Sequence, residues 1–128
     1  MNETITPQDA LKLWQRVVET SLHGLPHDLS QRQMAVLLSV YFLPPPHTLR
    51  SLSTRLRISK PAICRAVDAL SRWDLVRRKK DEQDRRNVFL NRTIAGSVFL
   101  RDFGDIIVGE LRQPAAEAHI SNQAKAAG

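Results

Sequence analysis

The sequence predicts a mainly α-helical chain that carries one small β-hairpin. Five stretches repeat apolar residues at helical spacing, and two short strand-like runs flank a polar tip. The length of 128 residues suits one domain with its own core and is too short for two ordinary ones.

The first helix is expected from about Pro7 to His23. Pro7 suits a first-turn position, and Leu11, Trp14, Val17, Val18 and Leu22 recur along one side. Gly24 followed by Pro26 ends it. The second helix starts where Ser30 and Gln33 form a capping box, with Leu29 and Met34 at the two positions of a hydrophobic staple. Met34, Leu37, Leu38 and Tyr41 are its apolar stripe. Pro44-Pro45-Pro46 stops it, because proline blocks continuation and disfavours helix in the residue before it. Thr48 caps a short third helix with Leu49, Leu52 and Leu56 inward. Arg57-Ile58 makes a tight turn, and Ser59 caps a fourth helix reaching about Trp73. Pro61 falls at its second position and has no N–H, so the Ser59 hydroxyl is expected to accept from the Ala62 amide.

The strand-like runs are about Leu75–Lys79 and Asn87–Asn91, with the polar residues 81–86 as the hairpin tip. A last helix runs from near Thr93 to about Arg112, with Val98, Phe99, Phe103, Ile106, Ile107 and Leu111 as its apolar set. Gly96, Gly104 and Gly109 each cost it about 1 kcal/mol relative to alanine, so it is expected to need a packing partner. The tail from Gln113 is rich in Ala and small polar residues, which fits either a helix extension or disorder.

The composition, 42% apolar and 25% charged, is that of a soluble globular protein. No apolar run approaches the roughly 18–20 residues that span a bilayer. The first residues lack the basic flank and apolar stretch of a signal peptide. One cysteine, Cys64, allows no internal disulfide framework, and the cytoplasm is the expected compartment. The formal net charge of +6 is unevenly placed. Arg50 to Arg92 holds 13 Lys/Arg and 5 Asp/Glu, a net +8, and the rest of the chain is −2. Such a focus suits a polyanion, since phosphate contacts release counterions. Taken alone, it fits a basic surface without a partner equally well.

The short helix, tight turn and longer helix from Ser51 to Trp73 have helix-turn-helix proportions, and the hairpin that follows makes a wing. At 100° per residue, Ile63, Ala66, Val67 and Leu70 cluster on one side of the fourth helix. Pro61, Arg65, Asp68 and Arg72 lie opposite, with Lys60 and Ala62 near the helix start. Arg65 is thus placed to read guanine O6 and N7 in a major groove, while Lys60 and the free amides at the helix start suit phosphate. In the hairpin, Arg77-Arg78-Lys79-Lys80 leads in and Arg85-Arg86 stands at the far side. Arginine is drawn to the negative potential of a narrow minor groove. Asp81, Glu82 and Asp84 are expected to orient the arginines or shape the turn. The residues expected at DNA are therefore Ser59, Lys60, Pro61, Ala62, Arg65, Arg72, Arg78, Lys80, Arg85 and Arg86.

Leu52-Ser53-Thr54-Arg55-Leu56, Ile58-Ser59-Lys60-Pro61-Ala62, Val67-Asp68-Ala69-Leu70, Leu75-Val76-Arg77-Arg78 and Asp84-Arg85-Arg86 resemble the MarR family of bacterial regulators. The likeness takes in Leu29-Ser30-Gln31-Arg32-Gln33 and covers roughly Leu29 to Phe103. It implies a winged helix-turn-helix domain over 1–112, with the helix-turn-helix at 49–73 and the wing at 75–91. The helices at about 7–23 and 94–112 would form a homodimer, and the tail is 113–128. It also implies a pseudo-palindromic operator, and a small-molecule effector of unspecified identity. On the same resemblance Arg85 enters the minor groove, and Arg86 with Asp68 forms a pair that steadies the wing. The two arginine roles can be exchanged, and Asp84 is a second wing-stabilising candidate. The chain departs from the family in having Asp74 where glycine often follows the recognition helix, in Pro44-Pro45-Pro46-His47, and in a short, weakly apolar stretch after Leu111.

Other chemistry finds little support. Cys64 lies at the edge of the packed face and reads as a small buried hydrophobe, with an oxidant-sensing thiol as the alternative. His23, His27, His47 and His119 lack metal-ligand spacing. No phosphate loop, nucleophile motif or paired carboxylate is present, so neither catalysis nor a cofactor is expected. Trp14, Trp73, Phe99 and Phe103 read as core, with an effector cleft as the alternative. The rival to DNA binding is a winged helix whose basic face meets an acidic protein.

Overall fold

Every helix begins where a side-chain oxygen takes an amide that the first turn leaves open. In the computed structural model, which describes residues 4–112, Thr6 Oγ1 accepts from the Asp9 amide at 3.1 Å ahead of α1 (Pro7–Gly24). Ser30 and Gln33 close the expected capping box on α2 (Gln31–Phe42). Thr48 and Ser51 close a second box, not foreseen from the sequence, on α3 (Leu49–Leu56). Ser59 Oγ accepts from the Ala62 amide at 3.3 Å on α4 (Lys60–Arg72), with Pro61 in the first turn as expected. Thr93 Oγ1 accepts from the Gly96 amide at 2.9 Å at the start of α5 (Ile94–Leu111).

Two left-handed residues make the sharp turns. Arg57, between α3 and α4, has φ 54°, and the Ile58 amide reaches back to Ser53 O at 3.2 Å. Asp74 follows α4 with φ 56°, so this chain uses aspartate where glycine would carry no steric cost. Leu75 then leads into β1 (Val76–Lys80), which pairs antiparallel with β2 (Val88–Arg92) from Val76↔Arg92 to Lys80↔Val88. Both strands begin one residue later than the sequence suggests. The segment before α3 also joins the hairpin. Thr48 bridges Phe89, and the Leu90 amide donates to His47 O at 2.9 Å.

The described residues fall into two compact units, one from Leu29 to Leu100, the other made of α1 and the part of α5 from Arg101 onward. The first unit is well packed. Val36, Leu37 and Val40 of α2, Leu52 of α3, and Ile63, Ala66, Val67 and Leu70 of α4 are buried, together with Val76, Leu90 and Phe99. Leu38, expected inward, is exposed, so the packed side of α2 is turned toward Val36 and Val40. The Tyr41 hydroxyl is a hub. It lies 2.9 Å from Leu75 O and 3.0 Å from Thr93 O, to which it donates, and it accepts from the Thr93 amide at 2.9 Å. A Cβ at position 96 would stand 1.9 Å from that hydroxyl and 2.3 Å from Leu75 O. Glycine there is a requirement of close approach, and the propensity cost it brings to α5 is offset by this packing.

The second unit is different. Thr20 donates to Glu110 Oε1 at 2.8 Å, Arg16 Nε lies 3.5 Å from Glu110 Oε2, and the Trp14 and Phe103 rings meet at 6.3 Å. Yet within α1 only Val17 is buried. Leu11, Trp14, Val18 and Leu22 are 41–68% exposed, which for Trp14 departs from the core position expected of it. The helical stripe is present as the spacing required, but it is not buried among the described residues. Val108 and Leu111 of α5 are likewise exposed. The tail 113–128 lies outside the described residues.

Candidate nucleic-acid interface

The recognition candidate α4 sorts its faces much as helical spacing demands. Ile63, Ala66, Val67 and Leu70 are buried, while Lys60, Pro61, Arg65, Asp68 and Arg72 are exposed. Arg65 therefore stands two turns or less from the N-terminus with its guanidinium outward, where a recognition helix reaches base edges. Ala62 departs from expectation. It is 6% exposed, because it continues the packed row of Ala66 and Ala69 at i, i+4 and i+7. Its methyl is withdrawn from any ligand on the outer face, and its amide is held by Ser59.

The wing tip is shaped by its acidic residues. Asp81 Oδ1 accepts from the Gln83 amide at 2.9 Å, and Asp84 Oδ1 from the Arg86 amide at 3.1 Å, two Asx turns in succession. Asp84 then grips the Arg86 guanidinium through both oxygens, at 3.0 and 3.2 Å. These bonds, the side-chain ones first and the backbone amide next, hold the Asp84 carboxyl below its ordinary value, and the charge of Arg50 adds to the effect.

The stabilising pair expected between Asp68 and Arg86 is made differently. Asp68 pairs with Arg78 at 2.5 Å, and Arg78 also donates to Cys64 O at 3.4 Å. The physical reason is distance along the hairpin. β1 leaves α4 after a short turn, which brings Arg78 alongside the helix, while Arg86 sits beyond the tip and is taken by Asp84. Arg78, expected at DNA, thus has its charge turned to the protein. Lys80 and Arg85 are exposed, and neither has an ion pair among the described residues.

Sequence reasoning counted Arg50 in the basic segment but gave it no role. The Thr48 and Ser51 box fixes the first turn of α3 so that Arg50, Lys60 and Arg86 border one cavity of about 230 Å3. The signal was Thr48-x-x-Ser51, a box in which serine replaces the usual Glu or Gln.

Other candidates are plainly located. Cys64 is half-buried, not fully enclosed. His47 is buried with Nε2 3.0 Å from Leu43 O. Among the described residues no group of three His, Cys, Asp or Glu is placed to hold a metal, and no helix is long and apolar enough to cross a membrane. Arg16, Glu19, Thr20, His23 and Glu110 border a cavity of about 440 Å3 in the unit of α1, and none of the four aromatics considered for an effector cleft lines it. Phe99 is core as expected, but Trp14 is 52% exposed.

The fold and this basic face define a winged helix-turn-helix. Residues 27–87 match the model of the MarR family. Solved structures extend the likeness to nearly the whole chain. A MepR variant of S. aureus bound to an oligodeoxyribonucleotide has a TM-score of 0.71 at 20% identity, covering 93% of this chain and 86% of that one. YusO of Bacillus subtilis gives 0.69 at 18%, covering 93% and 88%. The PcaV transcriptional regulator of Streptomyces coelicolor, in complex with its natural ligand, gives 0.59 at 24%, covering all of both chains. These likenesses carry the fold. No curated protein matches the sequence significantly.

Proposed function

We propose that this protein is a sequence-specific, double-stranded DNA-binding transcriptional regulator that occupies a pseudo-palindromic operator as a homodimer. The observation that carries the reading is the outer face of Leu29–Leu100, where Arg65 on α4 and Arg85 on the wing stand exposed in a segment of net charge +8. Lys60, Arg72 and Lys80 supply phosphate contacts that set position, Arg65 reads base edges in the major groove, and Arg85 enters the minor groove beside it. The match to the MarR family and the S. aureus MepR structures solved with DNA support the same reading.

The dimer is supported by the uncovered stripe of α1. Leu11, Trp14 and Leu22 are each more than half exposed, and Val108 and Leu111 of α5 add to the apolar surface. A second copy that buries this stripe would bring two α4 helices to one site, which a two-fold operator mirrors. An effector, the cytoplasm and a bacterial source belong to the same proposal.

A gel shift on random duplex DNA at rising salt tests it. Binding at low salt that weakens steeply with salt is expected. No binding at low salt would transfer the basic face to an acidic protein partner. Selection of bound genomic fragments then reads the operator, and a palindrome is the expected result.

A further inference from the structure

We propose that the cleft bounded by the first turns of α3 and α4 and the returning strand of the wing seats one backbone phosphate of the bound duplex, held by Arg50, Lys60 and Arg86. The inference rests on the DNA-binding reading and adds to it a contact in which a residue outside the recognition helix and wing takes part. The cavity is about 230 Å3, and Thr48, Leu49, Asn87 and Val88 complete its wall. Its lining has three cations and no carboxylate.

Those cations do not follow from a run of like charge in the sequence. Arg50 comes from α3, Lys60 from α4 and Arg86 from the wing, so the fold itself brings them together. Gathering like charges is unfavourable unless an anion shares them. Arg86 has Asp84, but Arg50 and Lys60 have no ion pair among the described residues.

The backbone supplies donors at the same place. In α3 the capping box uses the amides of Thr48 and Ser51, which leaves those of Leu49 and Arg50 without a partner inside the helix. In α4 Pro61 has no N–H and Ala62 is bonded to Ser59, so Lys60 brings the open amide of the first turn. Two helix starts and three cations thus face one small space, a donor set suited to phosphate oxygens. A phosphate seated there lies between the element that reads the major groove and the wing that reads the minor groove. It would fix the angle between the two readers, which a free small anion would have no reason to require.

The test compares Arg50→Gln, Lys60→Gln, the double variant and Arg101→Gln, which removes an exposed arginine paired with Asp102 elsewhere. Each binds a random duplex over a range of salt. Arg50→Gln and Lys60→Gln are expected to weaken binding about five- to tenfold and to lower the salt slope by about one. Arg101→Gln should match wild type. Because both residues hold the same phosphate, the double variant should lose less than the product of the single losses, and Arg50→Lys should restore part of the affinity. Unchanged single variants, or losses that multiply, would overturn the shared seat. So would a wild-type melting temperature raised by inorganic phosphate but not in Arg50→Gln, if duplex affinity is the same in both, since the cleft would then serve a small anion. If the wild type binds no duplex at low salt, the DNA reading itself fails, and that outcome is distinct from the others.

Discussion

The two units of this chain treat their apolar residues in opposite ways. Between Leu29 and Leu100, α4 alone buries six residues, and the hydroxyl of Tyr41 ties two chain segments to α2. In α1 a stripe of similar length buries only Val17. The contrast separates a module that completes its own core from a pair of helices whose apolar side is left uncovered among the described residues. A DNA-reading surface needs the first kind of construction, because Arg65 and the wing must be held at fixed angles. An association surface is expected from the second.

Changes inside the first unit should have the largest effect. Gly96→Ala places a methyl where the Tyr41 hydroxyl and Leu75 O already are, and the expected loss is at least about 3 kcal/mol, seen as a collapse of the thermal transition. Leu70→Ala opens a cavity beside a fully buried side chain and should cost about 2–5 kcal/mol by denaturant unfolding. The opposite expectation holds in α1. Leu11→Ser with Leu22→Ser should leave the fold of Leu29–Leu100 intact but weaken self-association at least about tenfold in sedimentation equilibrium. If these substitutions unfold the chain without changing its association, the contrast between the units is wrong.

The wing offers a smaller effect with a definite sign. The Asp84 carboxyl is held low by Arg86, so its contribution is fully present above the ordinary aspartate value of about 4 and is lost as pH falls through the lowered one. The chemical shift of the Arg86 Nε–H should therefore stay constant down to about pH 5 and move toward that of a free arginine only in more acid solution. Asp84→Asn should release it at every pH. The smallest change is expected for Arg78→Ala. Its pair with Asp68 is partly exposed, and pairs of this kind contribute about 0–1 kcal/mol.

Much of the first unit was legible because its signals are local. Ser30 with Gln33, Ser59 ahead of Pro61 and the 100° sorting of Ile63, Val67 and Leu70 each depend on neighbours within a turn or two. What escaped depends on contacts that spacing does not encode. Arg78 in place of Arg86 as the partner of Asp68 follows from the register of the hairpin against α4. The convergence of Arg50 and Lys60, from consecutive helices, with Arg86 of the wing depends on how the hairpin folds back, which spacing does not encode. The requirement for Gly96 arises from Tyr41, more than fifty residues away. The α1 stripe was legible as apolar, but its place in a dimer came only from the family resemblance, because periodicity reports that a face is apolar and not what covers it.

The central claim is that the packed unit reads DNA through its outward basic face. Its most direct test is the affinity of wild type and Arg65→Ala for a selected site and for random duplex across a range of salt. Wild type is expected to bind both duplexes, more weakly as salt rises, and to prefer the selected site. Arg65→Ala should lose about 1–3 kcal/mol of that preference while its affinity for random duplex changes little. Failure of the wild type to bind either duplex at low salt, or an Arg65→Ala preference equal to wild type, would contradict it.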